Sequence, residues 1–417
     1  MRRGGLPVAI LATLAALVTL AGPAAAIERP GYDRAALQRD LDAIHAAGVT
    51  GVQASVRDSH ERLTARSGVA DLRTGRPVPR GGYFRIGSNT KTFVATLVLQ
   101  LVAEGRLSLD DTVERWLPGI VAGNGNDGRA VTVRHLLQHT SGLYNYTNDL
   151  SELASPEGYE SVRFRSWRPT ELVAMAMRHP PNFAPGTHWD YSNTGYILVG
   201  MIIEAVTGRT WDVEVRDRVI RPLGLRHTFS PGDSPLVPDP HALAYQQFAP
   251  GGPLVDVTVL NHTWAGAAGD LISTADDLTR FWLALARGEL LRPAQLAEMH
   301  STVLAETFQD FWPGARYGLG IMWQPLSCGG GYWNHGGDTL GYSTRNGVSS
   351  DGRRAVAISL TAKLAGTFEP EEAADRAVDN ALCDRPAAAA RSGSSARPQG
   401  VSPKAARVAT RQQAAIR

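Results

Sequence analysis

Between Phe93 and Ala103 only Thr96 and Gln100 interrupt a run of apolar side chains. A helix that is apolar nearly all round is buried on every side rather than lying on a surface. Gly105 supplies its natural stop. Before it, Asp33 to Ala46 carries Leu37, Leu41 and Ile44 on one helical stripe. Gly51 to Arg57 and Arg62 to Val69 read as a hairpin turning at Asp58-Ser59-His60, and Tyr83 to Ile86 leads into the buried helix. After Gly105 the helical period dominates for nearly 200 residues. Val131 to Gln138, Thr170 to Arg178 and Gly195 to Val206 follow it, Ser273-Thr274 caps a helix running to Gly288, and Pro293 opens another.

Then the period changes. Tyr317 to Gln324, Gly331 to Asp338, Gly341 to Val348 and Ala355 to Thr361 read as strands, with Ser349 to Gly352 as a hairpin turn. Glu369 to Leu382 is a final helix. Strands thus lie at both ends of the chain and helices between them. The expected fold is α+β: one antiparallel sheet built from both ends, terminal helices on one face and an inserted, mostly helical part against the other. The α/β part is expected at about 27–105 and 300–384 and the helical part at about 106–299. The apolar helix is buried at their boundary, where ligand clefts tend to form.

The two ends of the chain differ from this middle. Met1-Arg2-Arg3, an apolar run from Leu6 to Leu20 and Ala24-Ala25-Ala26 read as a secretory signal peptide cleaved after Ala26, residues 1–26. An uncleaved anchor helix is the alternative, for which the run is short. Residues 385–417 contain seven basic side chains and no acidic one, and the composition cannot bury a core. This tail is a disordered segment, a cleaved propeptide, or a contact for anionic wall polymers. The formal charge of +2, less seven for the tail and two for Arg2 and Arg3, leaves the middle at −7. Nothing there invites nucleic acid. The two cysteines, Cys328 and Cys383, are expected to pair in an exported protein. Their bridge would be worth about 4 kcal/mol in the chain-entropy model. With no CxxC and no HExxH, no metal or other cofactor is signalled.

The candidate chemistry begins at the mouth of the buried helix. Ser88 and Lys91, three apart, share a helix face at the positive end of its dipole. The chain holds 42 basic residues but only three lysines, Lys91, Lys363 and Lys404. Arginine keeps its proton, whereas a desolvated lysine can lose it. A lysine one turn from a serine therefore suggests a base beside a nucleophile, against the plain alternative of a serine cap with an incidental lysine. A second polar cluster, Asp190 to Gly195, offers Tyr191 as a proton relay if nearby cations lower its pKa. Asn193 in the same cluster can hold both Lys91 and a substrate carbonyl. Y-x-N also occurs at Tyr146 and Tyr332, so alone it reads as structural. A third cluster, Asn334-His335-Gly336-Gly337-Asp338, sets glycines within a strand, which often marks the close approach of another backbone or a ligand.

In this order and spacing, S-x-x-K, Y-S-N and H-x-G resemble the penicillin-recognising serine hydrolases. The version here looks like that of class C β-lactamases, their esterase relatives and secreted D-alanyl-D-alanine carboxypeptidases. The likeness extends through Phe84 to Ser88, His139 to Tyr144, Tyr146 to Asp149, Tyr191 to Thr194, Tyr317 to Gly320, Leu326 to Gly329 and Cys383, so it covers roughly residues 33–383. It implies a β-lactamase/transpeptidase-like fold over residues 27–384 and acyl-enzyme chemistry. Ser88 would be the acylated nucleophile, Lys91 its proton partner, Tyr191 the general acid/base, Asn193 an orienting group and His335 the third-motif residue. Backbone N–H groups of Ser88 and Asp338 would form the oxyanion hole. Gly336, Gly337 and Trp264 would line the cleft, although Trp264 would be equally ordinary as core packing.

The first activity implied is a secreted, monomeric carboxypeptidase acting on peptidoglycan stem peptides and acylated by β-lactams. The alternatives on this scaffold are an esterase, a β-lactamase or a D-amino-acid amidase on a small ester or amide, and a non-catalytic β-lactam sensor. No stable membrane anchor is expected after signal cleavage. Two departures weigh against a free carboxylate substrate. Gly336 replaces the usual Thr, and Gly320 to Gln324 lacks the clamping arginine. Asp338 is expected to repel a carboxylate further.

Overall fold

The computed structural model of the chain describes residues 31–384, with the isolated positions 1 and 4. The signal peptide and basic tail expected at 1–26 and 385–417 lie outside the described residues. Among the described residues no helix is long and apolar enough to cross a membrane.

The sheet is antiparallel and has nine strands. From one edge they run Arg62–Gly68, Gly51–Arg57, Ala355–Leu360, Tyr342–Ser349, Gly331–Asn334, Met322–Pro325, Arg316–Tyr317 and Val303–Leu304. Gly337–Thr339 also pairs with Tyr342–Ser349. The seam between the chain's two ends is the pairing of Val52 with Leu360 through Arg57 with Ala355.

The N-terminal helix Arg34–Ala46 starts where the Asp33 carboxylate accepts the Ala36 N–H at 2.8 Å, a side-chain cap. Its stripe of Leu37, Leu41 and Ile44 packs with the C-terminal helix Glu369–Leu382 against Val52, Val356 and Ile358 of the sheet. The Cys328–Cys383 disulfide ties the end of that helix to the loop after Met322–Pro325, with Cα atoms 5.8 Å apart. On the opposite face, the helix Ala275–Ala286 lies against the sheet. Behind it runs the central helix Thr90–Ala103, buried along almost its whole length, with Phe93 stacked on Phe281 at 3.7 Å between ring centroids. The helix Asn193–Thr207 packs on the central helix from the far side.

Two expected strands are broken, both for reasons that matter at the site. Tyr317 to Gln324 splits because the amides of Gly318, Leu319 and Gly320 donate to Ile321, Met299 and Leu137 instead of to a neighbouring strand. Gly331 to Asp338 splits at His335-Gly336, yet no residue is inserted. Tyr332 lies opposite Ser349 and Gly337 opposite Thr344, which is one continuous register. The strand bows out for three residues and returns.

Candidate active site

Ser88 sits in a tight turn, Gly87–Asn89, that leads straight into the central helix. Two glycines press this turn against the bowed strand. Gly87 has φ +51°, and a Cβ there would lie 2.9 Å from the Asp338 nitrogen. A Cβ on Gly337 would meet the Ile86 carbonyl oxygen at 1.9 Å, which no side chain could tolerate. Gly337 of the third motif therefore does admit another backbone, that of the Ser88 turn, and the Asp338 amide stands beside Gly87. The turn is pinned from the side as well. Asn89 donates to the Ile86 carbonyl at 2.8 Å and accepts from Asn346 of the sheet.

Lys91 is fully buried, and its Nζ has three oxygen neighbours: Ser88 Oγ at 3.0 Å, Asn193 Oδ1 at 2.7 Å and the Ala268 carbonyl at 2.7 Å. No carboxylate is bonded to it, and burial alone drives its pKa well below the usual lysine range. The three oxygens match the three N–H groups of an ammonium, and loss of one proton leaves two N–H groups and a lone pair. The Asn193 and Ala268 oxygens can only accept, so they take both N–H groups. The remaining lone pair then faces the Ser88 hydroxyl. Asn193 is itself held, its backbone N–H on Asn145 Oδ1 at 3.0 Å and its side-chain amide on Thr147 at 3.4 Å.

The Tyr191 ring lies 4.8 Å from Lys91 Nζ. Its buried hydroxyl makes no well-formed hydrogen bond, although the Ser88 hydroxyl is near enough to favour the phenolate. Burial dominates and pushes the phenol upward. A tyrosine acidified by cations is therefore corrected to a phenol held protonated by its burial, which outweighs the Lys91 nitrogen beside it.

His335 is buried and has both ring nitrogens engaged. Nδ1 contacts the Gly336 carbonyl at 2.7 Å, and Nε2 contacts the Tyr317 hydroxyl at 2.9 Å. That hydroxyl contacts His139 Nε2 at 3.1 Å, and His139 Nδ1 accepts the Ser192 N–H at 3.3 Å. The ends fix the direction of the whole chain. The Gly336 carbonyl accepts, so His335 Nδ1 carries a proton and Nε2 accepts from Tyr317 O–H. The Ser192 N–H donates, so His139 Nε2 carries the proton that Tyr317 accepts. Both imidazoles are neutral, and burial, the largest cause, takes His335 down to about 3. The chain links the strand of the third motif to the loop carrying Tyr191.

The Asp338 carboxylate is not an unopposed charge, which corrects the expected repulsion. Lys363 Nζ lies 2.9 Å from its Oδ1, Arg345 3.3 Å from its Oδ2, and Ser343 donates at 2.6 Å. Although burial opposes ionisation, these cations hold the carboxyl far below the usual carboxylate range. Lys363 also reaches Glu371, and Arg345 reaches Asp375, both on the C-terminal helix. Trp264, expected at the cleft, is buried in the core, its ring against His262 and its carbonyl accepting from Tyr146 at 2.5 Å.

The structure thus brings together Ser88, Lys91, Tyr191 and Asn193, and sets the Asp338 amide and Gly336-Gly337 alongside. Sequence reasoning missed the Ala268 carbonyl, Asn145, Thr147 and the His139–Tyr317 pair. A carbonyl leaves no sequence signal. His139 does have one in the structure, a non-glycine at φ +61° closing the helix Val133–Gln138.

Residues 34–381 match the family described as Beta-lactamase. The chain is 32% identical over 257 residues to penicillin-binding protein 4 of Amycolatopsis lactamdurans, covering 60% of this chain and 63% of that protein. Its backbone superimposes on a D-stereospecific amidohydrolase from Streptomyces sp. with a TM-score of 0.76 at 45% identity, over 82% of this chain and 98% of the other. A D-amino acid amidase from Ochrobactrum anthropi SV3 gives 0.72 at 30% identity, over 84% and 97%. With the matching family, the shared fold and these relatives, the chain belongs to the β-lactamase/transpeptidase-like family of serine hydrolases.

Proposed function

We propose that the protein hydrolyses amides or esters of D-configured amino acids through an acyl-enzyme on Ser88. The observation that carries this reading is the buried Lys91 Nζ, 3.0 Å from Ser88 Oγ and held at 2.7 Å by each of the Asn193 and Ala268 oxygens. Lys91 takes the hydroxyl proton as Oγ attacks the substrate carbonyl carbon. The oxyanion that forms is received by the backbone N–H groups of Ser88 and Asp338. When the C–N bond breaks, the leaving amine takes a proton from the Tyr191 phenol, which recovers one from the Lys91 ammonium. Water repeats the sequence on the ester, and the acid leaves. His335 acts as a positioning residue through its hydrogen-bonded chain. The D preference is supported by the names of the amidohydrolase and amidase that this chain resembles.

The same reading accounts for the missing carboxylate clamp, since an amide or ester brings no charge that would need pairing in the cleft. A second reading, the D-Ala-D-Ala carboxypeptidase, draws on one feature. Arg345 NH1 would be 3.7 Å from a Cβ at Gly336, so the absent side chain opens a way toward a guanidinium. That group is already committed to Asp338, Asp375 and the Thr344 carbonyl. Export to the cell-wall side remains part of either reading.

The test sets D- and L-amino-acid amides beside an N-acylated D-Ala-D-Ala peptide, with Ser88→Ala as control. Release of ammonia from the D-amide alone, abolished in Ser88→Ala, is the expected result. Release of D-alanine from the peptide at a higher kcat/KM selects the carboxypeptidase. Hydrolysis persisting in Ser88→Ala would overturn the mechanism.

A further inference from the structure

A cavity of about 260 Å³ lies along the edge strand Arg62–Gly68, and none of its lining residues belongs to the Ser88 site. Pairing of the first two strands places Ser55 opposite Thr64 and Arg57 opposite Arg62, on the face turned from the N-terminal helix. Arg62, Arg66 and Arg80 line the cavity and Asp276 is its one carboxylate, so its wall carries a charge of +2. Asp276 is shared by Arg57 at 2.7 Å and Arg62 at 3.2 Å. Arg66 gives one N–H to the Val78 carbonyl, and Arg80 is exposed with no acidic partner among the described residues.

The polar groups of the wall are also incompletely satisfied. Ser55 is 1% exposed and its hydroxyl makes no hydrogen bond. Buried donors are ordinarily paired. A polar cavity with excess positive charge and an orphan donor is suited to an anion rather than to staying dry.

We propose that this cavity binds a small organic anion whose carboxylate or phosphate oxygens engage the guanidinium forks of Arg66 and Arg80, with Ser55 as an added donor. Planar guanidinium groups take such oxygens in pairs. The site is independent of the reaction at Ser88, so the two proposals fail separately.

Calorimetric titration of the full chain with inorganic phosphate and, separately, with succinate, at constant ionic strength in chloride, tests it. One saturable site is expected. Arg80→Ala removes an exposed side chain without partners, so the fold is kept and hydrolysis at Ser88 is unchanged. Affinity should fall roughly tenfold or more, the worth of a charge-assisted contact. Ser55→Ala should weaken binding as well. Tighter phosphate points to a phosphorylated ligand, and tighter succinate to a carboxylic acid. No saturable binding of either probe, or equal binding by wild type and Arg80→Ala, overturns the proposal.

Discussion

Replacing Tyr317 with Phe removes a single oxygen from a buried position, yet that oxygen serves two rings. It donates to His335 Nε2 at 2.9 Å and accepts from His139 Nε2–H at 3.1 Å. In Tyr317→Phe one acceptor and one donor are left unpaired in a site with no solvent to replace it. At about 1–3 kcal/mol for each orphaned group, the loss comes to about 2–6 kcal/mol. Urea unfolding at pH 7 measures it. A second readout separates positioning from mere stability. The wild-type hydrogen bond stabilises the neutral form of His335, so its loss raises that ring's pKa from about 3. A charged imidazolium beside Lys91 disfavours the protonated lysine that forms as Ser88 attacks. On acidification the kcat for the D-amide should therefore fall further in the variant than in the wild type, with KM nearly constant. An unfolding free energy within about 0.5 kcal/mol of wild type, together with an equal fall of kcat on acidification, would refute the chain as drawn.

Lys91→Arg puts a fixed cation in place of the proposed base, because a guanidinium does not give up its proton. The kcat should fall by about 10²–10⁴-fold, whereas a purely electrostatic role for Lys91 would leave most of the rate. Because burial lowers the Lys91 pKa, its amine is free at lower pH than an exposed lysine's. Wild-type activity should therefore be lost on acidification through that lowered value, and a rate that rises only near pH 10 would contradict the lone-pair assignment. Lys363→Met leaves Asp338 and Glu371 short of a buried cation and should cost about 3–5 kcal/mol. Slower acylation by a penicillin per folded molecule should accompany it, if Asp338 supplies an oxyanion N–H as proposed. Unchanged acylation would detach the ion cluster from the chemistry.

The fold was legible because its signals are strong and local. Leu37, Leu41 and Ile44 mark a one-sided helix, the run after Phe93 marks a buried one, and the change of period after Tyr317 marks the sheet. The strand breaks were not legible, because they depend on distant partners. Gly318 to Gly320 read as strand until Met299 and Leu137 take their amide protons. At His335 the register continues unbroken, and only the approach of Ile86 and Gly87 explains the bow. Ser88, Lys91, Tyr191 and Asn193 were legible as residue types, since lysine is scarce here and its use beside a serine is informative. Their protonation states were not, because these follow from burial and from a backbone carbonyl at Ala268 that any residue could supply. The misjudged repulsion by Asp338 shares that origin, since its charge was weighed without the Lys363 and Arg345 cations that the fold brings to it.

The pressing of the Ser88 turn onto Gly337 and Asp338 has a consequence for the order of events during synthesis. A ribosome delivers the nucleophile long before the strand that completes its surroundings, and Gly51–Arg57 must wait for Ala355–Leu360 before it gains its inner neighbour. Contacts so distant along the chain close slowly and leave edges open meanwhile. A nascent or truncated chain ending before Gly337 holds Ser88 and Lys91 but lacks the Asp338 amide. Under the proposed mechanism such a chain is silent, and catalytic competence would itself report that folding has finished.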